Sequence, residues 1–469
     1  MPVPIDLHDL LNAEAVPSGI AVRSITADSR KAEPGAAFFA ITGGKADGLA
    51  FAAEAAAHGA VAVVGEGERP ATLAERVAYV RVPDARAALA RAAARLHPRQ
   101  PGVVVAVTGT NGKTSVASFT RQIWTALGRL AASLGTIGLA APSGNVPGSL
   151  TTPDPVALHA LLDKLAGEGV THLAMEASSH GLDQRRLDGV RLAAGGFTNL
   201  TRDHLDYHHT LEAYRAAKLR LFDTLLPEGA SAVVNADSPE AKVIGAIAAT
   251  RKLRLFTVGR EGSDLKLVDV ALEGFAQSLT VRADGREYRL HLPLVGAFQV
   301  GNALVAAGLA IATGSPVVDV LSALEDLEGA TGRLEFVGRK GNAPIFVDYA
   351  HTPDALANAL DALGPYAKGR LTVVFGCGGD RDPGKRPLMG EIAVRRAARV
   401  YVTDDNPRSE DAAAIRRAIL AAAPGAIEIG DRAAAISAAV RELSDGDVLL
   451  VAGKGHETGQ IVGNRTLPF

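Results

Sequence analysis

Hydrophobic positions along the chain follow two rhythms. Short unbroken apolar runs at Ala36 to Ile41, Ala60 to Val64, Val103 to Val107 and Val170 to Ala174 predict strands buried on both faces of parallel sheets. Between them, apolar residues three and four apart predict helices. In Lys113 to Leu127 the residues Val116, Phe119, Ile123, Trp124 and Leu127 share one face, and alanine-rich Asp84 to His97 reads the same way. A third helix is predicted from Leu211 to Leu226. From about Gly332 the alternation is regular, with strands at Ile345 to Asp348, Leu371 to Phe375, Arg399 to Thr403 and Val448 to Ala452 separated by helical stretches, the order of a doubly wound α/β domain. Pro98-Arg99-Gln100-Pro101-Gly102 cannot continue a helix, because each proline lacks an N–H and restricts the residue before it, so a linker is expected there. With 469 residues, at about 150 per domain, the division expected is 1–98, 99–331 and 332–469.

Composition narrows the class. Apolar residues make up 47% and charged residues 21%, the balance of an ordinary globular chain. Lys plus Arg is 49 against 51 Asp plus Glu, so the basic excess that nucleic-acid binding requires is missing, while a small phosphate ligand stays open. The one cysteine, Cys377, excludes an intramolecular disulfide framework. The start MPVPIDLHDLL lacks the basic flank and apolar core of a signal peptide. No apolar run approaches the roughly 18 residues of a membrane span, Ala303 to Ala312 being broken by Gly308. A cytoplasmic protein with no membrane or nucleic-acid partner, and a monomer, is expected.

Candidate chemistry gathers in loops after the predicted strands. Gly109, Thr110, Asn111, Gly112, Lys113, Thr114 and Ser115 lie between a buried strand and an amphipathic helix, where backbone N–H groups converge on phosphate oxygens, Lys113 adds charge and the Thr114 hydroxyl can ligate Mg²⁺. The loop is shorter than the strict Walker pattern, which wants glycine where Val107 stands. Glu176 ends the next apolar run, at the sheet edge where ligands bind, and is either a metal-reaching carboxylate or a strand-end surface residue. His204 and His208 have the spacing of zinc ligands, but Leu205 stands where a metallopeptidase has Glu. Lys218 falls on the apolar stripe of its helix with Tyr214, Leu221 and Phe222. It is either a snorkelling lysine or a desolvated amine able to attack CO₂ and become an anionic ligand for Mg²⁺. The Gly376 to Arg381 loop fails the dinucleotide fingerprint, since its third glycine would fall on Arg381. Asp405, Glu457, Arg381 and Arg408, on loops of the same predicted edge, suit a zwitterionic substrate.

Taken in order, TGTNGKTS, MEASSHGLDQRR, FTNLTRDHLDYH, AYRAAK, YAHTPDAL, GCGGDRDPGKRP, DDNPR and GKGHE resemble the Mur ligases of peptidoglycan synthesis across nearly the whole chain. The resemblance implies a small α/β UDP-binding domain, a central P-loop-type ATPase domain with a mostly parallel sheet, and a Rossmann-like C-terminal domain. It implies ATP-dependent addition of meso-diaminopimelate to the D-glutamyl γ-carboxylate of UDP-N-acetylmuramoyl-L-Ala-D-Glu. Asp28-Ser29-Arg30 and Gly44-Lys45-Ala46-Asp47-Gly48 resemble the UDP-site motifs, with Ser29 the leading uridine contact. By the same resemblance Thr151, Thr152, Ser178, Gln184 and Arg186 bind the muramoyl-dipeptide, and Asn302, Arg333 and Asp348 contact ATP. Arg381, Asp405, Asn406, Pro407, Arg408, Gly453 and Glu457 form the diaminopimelate site, with Arg408 on the second carboxylate. Thr114, Glu176, His204 and Lys218, the last as a CO₂-derived carbamate, hold Mg²⁺. Lys113, Glu176, His204 and Lys218 are the catalytic set. The chain departs from the family at Ser115, Gln299 and His209, where threonine, asparagine and glycine are usual, and ends at Leu467-Pro468-Phe469 where members commonly continue. A lysine-adding homologue, a folylpolyglutamate synthetase-like ligase and a non-catalytic ATP-binding sensor are the competing readings.

Overall fold

The computed structural model describes residues 4–12, 16–43, 46–148 and 150–469, so Gly44 and Lys45 of the expected UDP motif lie outside the described residues. The chain divides into two compact units, 1–113 with 120–257 and 308–315, and 114–119 with 258–307 and 316–469.

The first unit holds a short antiparallel pair, Ile5–Asp6 with Ala21–Val22, and strands of two further sheets. The smaller is all parallel, in the order Ser24–Thr26, Ala36–Ala40, Ala62–Gly65, Ala78–Arg81. Alternation sends Phe39 and Val64 into one apolar layer with Leu7, Leu89 and Leu96, and Phe38 and Val63 into another with Ala52 and Leu73. Helix Ala85–Leu96 is capped by Asp84, whose carboxylate accepts from the Ala87 N–H at 2.9 Å. After it, the proline-flanked stretch is pinned rather than free. Gln100 is buried, donates to the Gly189 carbonyl at 3.0 Å and accepts from the Arg191 N–H at 2.9 Å.

Seven successive strands of the larger, eleven-stranded sheet run Gly144–Val146, Gly138–Ala141, Ala131–Gly135, His172–Glu176, Val103–Thr108, Ala194–Phe197, Ser231–Asn235. The first two strands are antiparallel additions and the last five are parallel. Val103–Thr108 lies between His172–Glu176 and Ala194–Phe197, so the loops after these three strands open side by side at one edge. The predicted helix Leu211 to Leu226 is α-helical over Leu211–Arg220 and widens into a π-helical turn over Leu221–Leu225.

The second unit contains an antiparallel trio, Leu265–Glu273, Ala276–Ala283 and Arg286–Leu292, which the apolar pattern did not predict. Its six-stranded sheet runs Glu335–Lys340, Ala343–Asp348, Val448–Ala452, Leu371–Phe375, Arg399–Val402, Ile427–Glu428, parallel apart from the first pair, and Gly459–Val462 pairs with Arg465–Pro468 as a separate hairpin. Val373 and Phe375 pack with Leu356, Leu360 and Met389, while Val374 packs with Tyr401, Ala435 and Leu449 on the opposite face. That two-sided burial is the doubly wound arrangement expected from the alternation. No helix among the described residues is long and apolar enough to cross a membrane.

Candidate active site

The phosphate-type loop leaves strand Val103–Thr108 and enters helix Lys113–Ala126. Gly109 and Gly112 have φ of 143° and 87°, backbone that disfavours a side chain, and a Cβ on Gly109 would overlap the Thr198 hydroxyl. The loop is held from the neighbouring strand end. Thr198 Oγ1 donates to the Asn111 carbonyl at 2.6 Å, Asn199 Oδ1 accepts from the Asn111 N–H at 3.0 Å, and the Thr110 N–H donates to the Asn199 carbonyl at 2.9 Å. Thr110 Oγ1 donates to the Thr201 carbonyl at 3.1 Å and accepts from Tyr214 Oη at 3.1 Å. Thr198 and Asn199 belong to the FTNLTRDHLDYH motif, where the sequence pattern points to the histidines; their role on the loop follows from the pairing of Ala194–Phe197 with Val103–Thr108.

Two lysines converge on the loop. Lys113 Nζ donates to the carbonyls of Gly109 at 3.0 Å and Thr110 at 2.8 Å, and Lys218 Nζ donates to the same Gly109 carbonyl at 2.7 Å. Lys218 is 1% exposed and lies 4.5 Å from the centre of the Tyr214 ring. Its stem is therefore enclosed, which removes the snorkelling alternative. Burial, reinforced by Lys113, pulls its amine well below the usual lysine value, against the opposing charge of Asp203.

Glu176 is 1% exposed at its strand end, so it is no surface residue. Its carboxylate accepts from the Thr136 N–H at 2.7 Å and the Thr136 hydroxyl at 3.1 Å, over a Gly135 whose missing Cβ makes the space. A string of polar groups starts there. Thr136 Oγ1 meets Thr151 Oγ1 at 3.1 Å, Thr152 Oγ1 donates to the Glu176 carbonyl at 2.9 Å, and Thr152 and Ser178 hydroxyls are 3.1 Å apart. Arg186 donates to the Thr152 carbonyl at 2.6 Å and to Gln184 Oε1 at 2.7 Å, while Gln184 Nε2 donates to Tyr207 Oη at 3.1 Å. All five residues expected on the dipeptide thus form one connected group. Tyr207, which donates to Asp183 at 2.8 Å, joins it unpredicted.

His204 lies edge-on to His180 at 4.8 Å, with its pKa lowered by burial and by Lys113 and Lys218. Among the described residues no three His, Cys, Asp or Glu side chains gather tightly enough to hold a metal by themselves. The donors in this region are a carboxylate, an imidazole and a hydroxyl with a buried amine, a hard-ligand set that suits Mg²⁺ in kind. In the small sheet, Ser29 donates to Glu54 Oε2 at 2.6 Å, a partner the sequence did not single out.

In the second unit, Asn302 donates to Gln299 Oε1 at 2.9 Å on helix Ala297–Ala312. The Arg333 guanidinium lies 4.7 Å over the Tyr349 ring and keeps a buried Nε–H without a partner. Asp348 accepts from the N–H groups of Leu334 and Ala350, both at 2.7 Å, and burial raises its carboxyl pKa. The Gly453 N–H donates to the Asp348 carbonyl at 3.0 Å, which ties this group to the loops beyond. Those loops do come together: Asn406 Nδ2 donates to Glu457 Oε2 at 2.9 Å, Gly453 leaves room for the Asp405 carboxylate, and Arg408 donates to the Gly379 carbonyl at 2.8 Å. Pro407 shares this loop, with its carbonyl against Gly379. Arg381 is exposed and donates to the carbonyl of its neighbour Asp380 at 3.1 Å. Cys377 is buried, its thiol pushed up to about 12.

Comparison with known proteins places this geometry. Three family profiles match in order: the Mur ligase family catalytic domain over residues 21–97, the Mur ligase middle domain over 107–310, and the Mur ligase glutamate ligase domain over 332–455. The UDP-N-acetylmuramoyl-L-alanyl-D-glutamate--2,6-diaminopimelate ligase of Bradyrhizobium diazoefficiens is 59% identical over 99% of this chain and 96% of its own length. The protein of that name from Zymomonas mobilis is 47% identical over 96% and 93%. A solved structure with the same name superposes with a TM-score of 0.73 at 32% identity, covering 99% of this chain and 96% of its own. Folylpolyglutamate synthase of Mycobacterium tuberculosis shares the fold over 78% of this chain and 92% of its own, with a TM-score of 0.63 at 17% identity.

Proposed function

The chain belongs to the Mur ligase family, and we propose that it joins the D-glutamyl γ-carboxylate of UDP-N-acetylmuramoyl-L-Ala-D-Glu to an amine of meso-2,6-diaminopimelate, with ATP converted to ADP and phosphate. One observation carries the reading. Relatives bearing that activity in their names match almost end to end, and the phosphate-type loop, Glu176 and Lys218 stand together at one sheet edge. Residues 1–98 are assigned to the UDP group, 99–331 to ATP and the dipeptide, and 332–469 to the amino acid, in a cytoplasmic monomer.

In the mechanism that follows, the glutamyl carboxylate attacks the γ-phosphorus of ATP, an acyl C–O–P link forms, and ADP leaves. The amine then attacks the acyl carbon, phosphate departs, and the amine's extra proton passes to solvent or phosphate. Activation is needed because a carboxylate is a poor electrophile. The loop N–H groups and Lys113 gather the phosphates, the charge being delivered where it develops. Thr152, Ser178, Gln184 and Arg186 hold the dipeptide against this edge. Asn302, Arg333 and Asp348 take the nucleoside and phosphates, the unpartnered Arg333 Nε–H being a donor ready for an anion. Ser29, having given its proton to Glu54, presents lone pairs to a uracil N–H.

Thr114, Glu176, His204 and a carbamate on Lys218 would hold Mg²⁺, which neutralises charge on the transferring phosphoryl group. The carbamate forms when the neutral amine attacks CO₂ and loses a proton, and burial of Lys218 favours that neutral amine. Asp405, Asn406 and Glu457 face the substrate ammonium, while Arg408 takes the second carboxylate that distinguishes diaminopimelate from lysine.

The test is ADP release with the UDP-dipeptide, ATP and Mg²⁺, with meso-diaminopimelate or L-lysine in parallel. Diaminopimelate-dependent turnover is expected; turnover with lysine alone refutes the Arg408 assignment, and none with either refutes the ligase. Lys218→Ala should lose most activity and regain part with small carboxylic acids in solution, whereas an active, unrescued variant removes the carbamate.

A further inference from the structure

Lys454 is one of the largest wholly enclosed side chains in the protein, at 2% exposure. An ammonium in that position persists only when its charge and all three protons are matched. They are: Nζ donates to Asn406 Oδ1 at 2.6 Å, to the Gly459 carbonyl at 2.6 Å and to Glu457 Oε2 at 3.1 Å. Three donors meet three acceptors, drawn from two stretches of chain, Asn406 on one loop and Glu457 with Gly459 on another. The bonds do not stop there. Asn406 Oδ1 also accepts from the Ile461 N–H at 2.9 Å, its Nδ2 donates to Glu457 at 2.9 Å, and Gln460 donates to the Asp405 carbonyl at 2.6 Å. Nearby, buried Arg432 donates to the Ala452 carbonyl at 2.7 Å, and the Phe469 ring lies 5.5 Å from the Lys454 ammonium.

We propose that Lys454 is a positioning residue for the amino-acid substrate: its buried ammonium fixes the distance between Asn406 and Glu457. It acts through those two side chains and needs no contact with substrate. Asn406 sends its carbonyl to the lysine and its amide to Glu457, so the lysine sets which way the amide faces. It also offsets one negative charge where Asp405 and Glu457 would otherwise repel each other. A neutral side chain of equal length would leave Glu457 Oε2 and Asn406 Oδ1 short of a donor and let the two loops part. Arginine would bring a planar fork to acceptors arranged for a compact, three-proton head.

The inference rests on the assignment of the Asp405–Arg408 and Glu457 loops to diaminopimelate, so the experiment carries Arg408→Ala beside Lys454→Met in the full-length protein. KM is measured for each of the three substrates, together with kcat and Tm. Lys454→Met should raise the KM for diaminopimelate about tenfold or more, the loss of a charge-assisted buried bond, with KM for ATP and UDP-dipeptide unchanged. Lys454→Arg should not restore it. If Arg408→Ala raises the diaminopimelate KM and Lys454→Met does not, the positioning role is overturned and the site assignment stands. If neither does, the assignment itself fails. An equal rise for all three substrates reduces Lys454 to a folding residue and overturns the proposal.

Discussion

His159 lies on the buried side of helix Pro155–Gly167 with no exposed surface. Its Nε2 is 3.3 Å from the Asp188 carbonyl, and its Nδ1 is buried without a partner. Burial, with smaller contributions from His97 and Arg191, outweighs the Asp188 carbonyl and pulls the imidazole from 6.5 to about 4. The unfolded chain therefore binds a proton that the folded chain refuses between those two values. Stability associated with this group is intact above pH 6.5, falls as the pH drops through the window, and levels off below about 4. At about 1.4 kcal/mol per pH unit the whole window amounts to about 3.4 kcal/mol, of which about 2 is already lost at pH of roughly 5. His159→Leu removes the titration and the unpartnered nitrogen together. Urea unfolding can be followed by the single tryptophan, Trp124, which is fully buried. The variant should be within about 1 kcal/mol of the parent near pH 7.5 and gain about 2 kcal/mol on it near pH 5. Parallel profiles at the two pH values would refute the neutral, buried imidazole.

Two further outcomes are expected. Asp188 holds Arg220 through two bonds of 2.8 Å, with side-chain exposures of 5% and 12%, so Asp188→Ala should cost about 3–5 kcal/mol in the same unfolding assay. The pair Asp188→Leu/Arg220→Met should recover much of it, and equal losses in single and double variants would contradict the charge argument. Glu54→Gln should raise the KM for the UDP-dipeptide about tenfold through misorientation of the Ser29 hydroxyl, leaving the KM for ATP and diaminopimelate unchanged; an unaltered UDP-dipeptide KM would remove Ser29 from the uridine site.

The sequence disclosed what is local. Val103–Thr108 and Leu371–Phe375 read as strands because both faces are buried, and Gly109 to Thr114 read as a phosphate cradle because strand, glycine turn and helix are contiguous. Lys218 stood out by its place on an apolar stripe. What stayed hidden required the fold. Leu265–Glu273 is mostly exposed and carries Lys266, Asp269 and Glu273, so no continuous apolar run marks it, and its pairing with Ala276–Ala283 supplies what its composition lacks. Asn199 is 88 residues from Asn111 and Glu54 is 25 from Ser29, separations over which only sheet order brings side chains together. Lys454 was visible inside GKGHE, yet nothing in its neighbours distinguishes a solvated lysine from one holding two loops.

Three of the charged groups near the phosphate-type loop and the proposed dipeptide site share a further property. Lys113 turns back on the carbonyls of Gly109 and Thr110, Glu176 on Thr136, and Arg186 on Thr152 and Gln184. Each of these three has neutral partners in its own scaffold. A phosphate or carboxylate competing for Lys113 or Arg186 replaces neutral acceptors with a charged one, and a charge-assisted bond is roughly twice as strong as the neutral bond it displaces. Binding then proceeds by exchange, with no charged group stranded in low dielectric on the way. Lys218 differs: it is buried and shares the Gly109 carbonyl with Lys113, whose nearby charge adds to burial in lowering its pKa. A buried amine with one neutral partner is more stable uncharged, which is the form that reacts with CO₂.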